Sequence, residues 1–208
     1  MRKIIVSIFL VLIFLCSTAM GETAVDWFYK ANALSDGKKY TDPIKAIEYL
    51  NNAIKLQTDD ETYYYNRGVA YGNLGQYQPA IKDYNQAIRL KPDYSEAFYN
   101  RGTIYSERGQ YQRAIEDFNE AIRLQPNDAE AYHGRGFAYD KLGQYQRAIE
   151  DYNQAIRLQP NYPKAYNNRG INYLSQGNNT LGCSDAQKAC ALGNCKLLEM
   201  AKGRGVCP

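Results

Sequence analysis

The side chains best suited to covalent or acid–base chemistry are sparse in this 208-residue chain: a single histidine, His133, and five cysteines, four of which (Cys183, Cys190, Cys195 and Cys207) fall in the last 26 residues. Most nucleophile–base and general acid–base arrangements need a histidine with a partner. His133 has no second histidine and no free thiol to join it, so it reads as a groove contact or a solvated side chain rather than a ligand. The four cysteines are separated by six, four and eleven residues, without the Cys-x-x-Cys knuckles of a structural zinc site or a haem attachment motif. In an exported chain an even set reads as two disulfides. The residues therefore predict a non-enzymatic protein with no metal and no cofactor.

Export is predicted by the first 21 residues. A basic start, Met1-Arg2-Lys3, precedes an apolar run from Ile4 to Leu15 and a small-x-small site at Ala19-Met20-Gly21, which together predict a secretory signal over residues 1–21. The 12 apolar residues make about 18 Å of helix against a ~30 Å hydrocarbon layer, so no stable membrane insertion is expected after cleavage. Cys16 follows Phe14 and Leu15, where a lipoprotein signal has small residues, and is assigned to the discarded peptide. The mature chain is expected in the periplasm or outside the cell. Net charge is +3, and two of the cations, Arg2 and Lys3, lie in the signal. The remaining charges are interleaved, which gives no basic stripe for a nucleic acid.

A period organises the rest. Residues 61–94 and 129–162 are identical at 22 of 34 positions, and residues 95–128 lie between them in the same register. Such a unit cannot bury its own apolar face, so the period means a stack. Each unit reads as two antiparallel helices. The first ends at Gly75, Gly109, Gly143 or Gly177, in the place of a helix C-terminal cap. The second carries apolar side chains at spacings of three, four and seven, as in Ala148, Tyr152 and Ala155, and stops before Pro92, Pro126 or Pro160. Gly68, Gly102 and Gly136, inside first helices, are expected to lie against Ala80, Ala114 and Ala148, with Tyr84, Phe118 and Tyr152 filling the space beside them. Glu116, Asp117, Glu150 and Asp151 are read as a solvated convex face. Arg67, Arg101, Arg135 and Arg169 form a stripe expected to lie over neighbouring rings or pair with acids.

The pattern resembles the tetratricopeptide repeat family: the large residue opening the first helix (Trp27, Tyr64, Phe98, Tyr132, Tyr166), the Gly-x-x-Tyr, the Gly-x-Tyr turn and the late Pro agree in register. Residues 24–60 depart, with Ala31 and Leu34 in place of Gly and Tyr and a three-residue insertion around Thr41-Asp42-Pro43. The resemblance implies an all-α, right-handed superhelical solenoid over residues 22–192, in five units (24–60, 61–94, 95–128, 129–162 and 163–192), closed by a cap over residues 193–208. It also implies a protein or peptide partner held in a concave groove. The family's contact positions carry over to Phe28, Tyr29, Asn32, Tyr65, Asn66, Val69, Tyr99, Asn100, Thr103, His133, Gly134, Phe137, Asn167, Asn168 and Ile171, an aromatic and amide-rich set with almost no charge. Asn66, Asn100 and Asn168 share one position and are similar to the asparagine ladder of O-linked N-acetylglucosamine transferases. Such amides could grip a peptide backbone. The carboxylate-clamp pattern of the family is not met, since the third unit offers Glu96 and Asn100, which argues against an acidic-tail ligand.

Helix geometry excludes a Cys183–Cys190 bridge, because seven residues of helix span about 10.5 Å against a ~7 Å limit. Of the two remaining connectivities, the nested one, Cys183–Cys207 with Cys190–Cys195, suits a hairpin turning at Gly193-Asn194. The expected function is a scaffold or adaptor of the envelope or secreted space. The alternative is a carbohydrate-binding accessory of polysaccharide export or cell-wall metabolism, because exposed Tyr and Asn also suit a glycan.

Overall fold

The computed structural model describes residues 21–37 and 39–208; the expected signal lies, but for Gly21, outside them. Helices α1 (Ala24–Asn32) and α2 (Pro43–Leu56) make the first hairpin, α3 (Glu61–Asn73) and α4 (Tyr77–Leu90) the second, and α5 (Ser95–Glu107) and α6 (Tyr111–Leu124) the third. The fourth is α7 (Ala129–Lys141) with α8 (Tyr145–Leu158), and the fifth is α9 (Pro163–Ser175) with α10 (Asn179–Ala191); α11 (Lys196–Gly203) closes the stack. Each helix packs on its sequence neighbours, and the first helices α3, α5, α7 and α9 touch in succession. The result is an all-helical solenoid, with those first helices forming one continuous face.

Local chemistry sets the boundaries. Thr23 and Asp26 exchange bonds at the start of α1, with each backbone N–H donating to the other's side chain. Asp42 accepts from the Lys45 N–H, and Pro43 follows it at the start of α2. From α3 onward the first helices end on a left-handed glycine, such as Gly75 at φ +70°. There the Gln76 N–H reaches back to the Tyr71 carbonyl at 2.9 Å and the Gly75 N–H to Gly72 at 2.9 Å. The same two bonds recur 34 residues on, at Gln110 and Gly109.

Inside the hairpins the glycines meet rings rather than alanines alone. A Cβ on Gly68 would lie 2.8 Å from the Tyr84 ring, and one on Gly136 would lie 2.9 Å from Tyr152. On Gly102 it would meet the Asp117 Cβ at 3.1 Å, the Phe118 ring at 3.2 Å and the Ala114 carbonyl at 3.3 Å. Of the expected alanine partners, the Ala114 backbone is among the nearest atoms to its glycine, while at Gly68 and Gly136 the ring lies nearest. The large side chain sits on the glycine because it is the buried centre of the hairpin, with Tyr84, Phe118 and Tyr152 almost wholly enclosed.

The arginine stripe does both of the things expected of it. The Arg67 guanidinium bonds both oxygens of Asp83 (2.8 and 2.7 Å), donates to Asn51 of the preceding hairpin (2.7 Å) and lies 5.6 Å from the Tyr64 ring centre. Arg101 repeats this with Asp117 and Asn85, Arg135 with Asp151 and Asn119, and Arg169 with Asp185 and Asn153. Asp117 and Asp151 therefore do not belong to a solvated face: both are buried, whereas their neighbours Glu116 and Glu150 are exposed. An acid one residue from an exposed one on a helix points about 100° away, and here that is into the hairpin. Burial pushes the Asp117 and Asp151 carboxyls up, against the pull of the guanidiniums. In the first hairpin Lys30 and Tyr49 stand where arginine and aspartate would be, and Trp27 lies between the Lys30 ammonium (4.5 Å) and the Tyr49 ring (5.5 Å).

The cysteines pair as Cys183–Cys207 and Cys190–Cys195, the nested set. Gly193, at φ +94°, makes the turn between α10 and α11. Leu197 and Ala201 of α11 are buried, and Leu197 packs on Gly170 of α9. The last hairpin is thereby covered. At the opposite end Val25, Tyr29, Ile44 and Leu56 remain exposed.

Candidate protein-binding groove

The face formed by the first helices holds a cavity of 640 Å³ whose lining includes Tyr65, Asn66 and Val69 of α3 and Tyr99, Asn100 and Thr103 of α5. Its wall toward the N-terminus comes from the loop between α1 and α2. Ser35 and Tyr40 form a β-bridge, the Asp36 N–H donates to the Lys39 carbonyl, and the Thr41 N–H donates to the Leu34 carbonyl. This small turn drops Tyr40 onto the second hairpin. Its N–H donates to Asn73 Oδ1 (2.8 Å) and its hydroxyl to Asn66 Oδ1 (3.0 Å). The insertion around Thr41-Asp42-Pro43 is thus the device that closes one end of the groove.

The groove amides are engaged within the protein. Asn66 Nδ2 donates to the Thr62 carbonyl (2.8 Å), and Asn100 Nδ2 donates to the Tyr65 hydroxyl (3.0 Å). Asn168 Nδ2 lies 3.1 Å from His133 Nε2, and Asn168 Oδ1 accepts from Asn167 (3.3 Å). Tyr65–Asn100 and His133–Asn168 are the same bond, made from one repeat to the next. A partner using these amides has to exchange those bonds. Gly134 interrupts the series for a steric reason: its Cβ would lie 2.7 Å from the Phe118 ring.

The aromatic groups stay uncharged. Burial pushes the Tyr40 hydroxyl up to about 12 and raises Tyr65, Tyr84 and Tyr99 as well. Burial, followed by the charge of Lys164, pushes His133 down to about 4. Its ring is neutral at pH 7 and lies 5.7 Å from the Tyr152 ring and 5.0 Å from the Tyr162 ring. With Asn168 donating, Nε2 is the acceptor and the proton belongs on Nδ1.

Not every residue singled out from the sequence reaches this cavity. Phe28 packs against Tyr63 (5.3 Å between ring centres) in the first hydrophobic core, Tyr29 beside it is 66% exposed, and Asn32 ends α1 with its carbonyl accepting from the Ser35 N–H. His133, Phe137, Asn167 and Asn168 continue the face beyond the cavity, on α7 and α9, with the Lys141 ammonium 5.0 Å from the Phe137 ring centre. Sequence reasoning missed Tyr40 and Asn73, and it missed two carboxylates of the lining, Glu107 and Glu130, that join Glu96 of the unmet clamp pattern. The groove is therefore not nearly uncharged. The missed signal was available: Glu96 and Glu130 share one repeat position. A second depression, of 720 Å³, follows the Gln125 to Glu130 turn but presents no aromatic ring, so it is the weaker candidate.

The family models that match are tetratricopeptide repeats at residues 62–94 and 129–162, again at 83–116, and a TPR repeat at 102–143. The chain is a tetratricopeptide-repeat protein. Among solved structures it is similar to MamA 41-end from Desulfovibrio magneticus RS-1, at 26% identity over 86% of this chain and 99% of that one, with a TM-score of 0.76. It is similar to a MamA RS-1 ArsTM double mutant, at 25% identity over 84% and 96%, with the same TM-score of 0.76. YrrB, described as a TPR protein with an unusual peptide-binding site, shares the fold at 23% identity over 87% and 92%, with a TM-score of 0.71. No curated protein matches the sequence. Among the described residues of this tetratricopeptide protein, no helix is long and apolar enough to cross a membrane.

Proposed function

We propose that this tetratricopeptide protein is a non-enzymatic adaptor of the cell envelope or secreted space that holds an extended segment of a partner protein in its groove. The observation that carries this reading is the 640 Å³ cavity, walled by Tyr40 and lined by Tyr65 and Tyr99, on the face shared by successive first helices. Rings with polar tips give contact area at low conformational cost, which suits recognition of a peptide. The peptide-binding site described for YrrB, on the same fold, supports the reading. Two disulfides accord with an oxidising compartment.

The test is site-specific photo-crosslinking in the native envelope, with the probe at Tyr65 or Tyr99 and, as a control, at Glu116 on the outer side. Adducts with a protein from the two groove sites only are expected. Adducts from Glu116 alone, or saturable glycan binding at the groove with no protein adduct, would overturn the reading.

A further inference from the structure

The repeat register places charge along the groove in a pattern that composition hides. One position reads Thr62, Glu96, Glu130, Lys164 in successive units, and another reads Asn73, Glu107, Lys141, Ser175. The three glutamates line the cavity, where, among the described residues, Lys39 is the one cation in the lining. One unit farther on, the same two positions hold Lys141 and Lys164. A chain with a net charge of +3 thus presents a net negative pocket over its second and third hairpins.

Among the described residues, none neutralises these carboxylates through an ion pair, although Lys91, Arg123 and Lys141 are all in ion pairs elsewhere. Glu107 raises the Tyr77 hydroxyl above its ordinary value, and Glu96 accepts from the Gln125 amide at 3.4 Å; both partners are neutral. Arg108, beside Glu107, is exposed and acts on Tyr77 without forming an ion pair. Uncharged tyrosine rings complete the pocket. Ring faces together with carboxylates attract ammonium and guanidinium groups.

From this complementarity we infer that the acidic half of the groove receives an extended segment bearing lysine or arginine side chains. The inference rests on the groove reading above and names the chemistry of the partner. Glu96, Glu107 and Glu130 hold the cationic heads, Tyr65 and Tyr99 pack their stems, and Lys141 and Lys164 discourage the same segment from shifting one repeat onward.

The experiment measures fluorescence anisotropy of two labelled peptides, one alternating serine with lysine and one alternating serine with glutamate, against the disulfide-bonded chain from residue 22 onward. The lysine peptide should bind and weaken as salt rises, and the glutamate peptide should not bind. Glu96→Gln with Glu130→Gln should weaken binding roughly tenfold through loss of two complementary charges. Glu116→Gln with Glu150→Gln, the same change in net charge on the outer side, should leave it unaltered. All four positions are exposed, so both variants fold. Equal binding of the two peptides, or equal weakening by the two double variants, overturns the inference. So does self-association of the wild type that the groove variant abolishes, since the occupant is then a second copy. If crosslinking from Tyr65 and Tyr99 persists in the Glu96→Gln, Glu130→Gln variant with undiminished partner yield, the cation preference falls while the groove reading stands.

Discussion

His133 gives the protein an acid-sensitive joint. An ordinary imidazole titrates near 6.5, and this one is pushed down to about 4 by burial and by Lys164. Between those values the unfolded chain binds a proton that the folded chain refuses, so stability rises with pH there. The contribution is complete above 6.5 and is lost as pH falls toward 4, and the gap corresponds to about 3 kcal/mol at ~1.4 kcal/mol per pH unit. Protonation also turns the Nε2 acceptor into a donor facing the Asn168 amide, which must flip. The clean perturbation is His133→Tyr. Tyr65, two repeats earlier, makes every equivalent contact: with Tyr84 (6.0 Å), with Tyr94 (4.8 Å) and, through its hydroxyl, with Asn100 (3.0 Å). Urea unfolding of both proteins at several pH values from 7.5 to 4 isolates the histidine, because the carboxylates are common to both. The wild type should lose about 3 kcal/mol more than the variant over that range. Parallel curves would refute the argument.

Gly134→Ala should destabilise by ~1–2 kcal/mol in urea unfolding, overpacking against Phe118 outweighing the gain in helix propensity. Phe118→Leu in the same chain should relieve part of that clash. Asp117→Ala leaves the Arg101 guanidinium buried without its carboxylate and should cost ~3–5 kcal/mol, whereas Glu116→Ala should lie within ~0.5 kcal/mol of wild type by the same measurement. Removing the outer bridge with Cys183→Ser and Cys207→Ser, which closes a loop of 24 residues, should lower stability by about 3 kcal/mol. It should also open the backbone after Lys196 and Lys202 to limited proteolysis.

The hairpins were legible because their punctuation is local: Gly75, Gly109, Gly143 and Gly177 take φ values near +70° whatever the chain does elsewhere. The nested cysteine pairing was legible because helix geometry excludes a Cys183–Cys190 bridge and a turn at Gly193-Asn194 suits the nested one of the two pairings left. Contacts between residues distant in sequence were harder. Arg101 reaches Asp117 and Asn85, each 16 residues away, and that crossing moves Asp117 from the surface to the interior. Tyr40 was not among the groove residues read from the sequence, yet its loop turns it into the groove wall. The groove's acidity escaped because Glu96, Glu107 and Glu130 come from two helices and three different turns, and only packing brings them to one cavity.

The arginine bonds also give the stack a direction. Every junction between hairpins carries one arginine-to-asparagine tie, but the ion pair inside a hairpin exists in the second to fifth and is replaced in the first by Lys30, Trp27 and Tyr49. That first hairpin also leaves Val25, Ile44 and Leu56 in water, while the far end is clamped by two disulfides. In an array whose units are held only by their neighbours, such an imbalance makes opening proceed from one end. Amide exchange should therefore be fastest in α1 and slow progressively toward α10. Because Tyr40 belongs to this softest unit yet bonds Asn66 and Asn73 of the next, the groove's end wall lifts away whenever the array begins to unravel. Occupancy of the groove and closure of the first hairpin then become a single equilibrium, in which a bound segment latches the hairpin that, among the described residues, has neither the arginine–aspartate pair nor a disulfide.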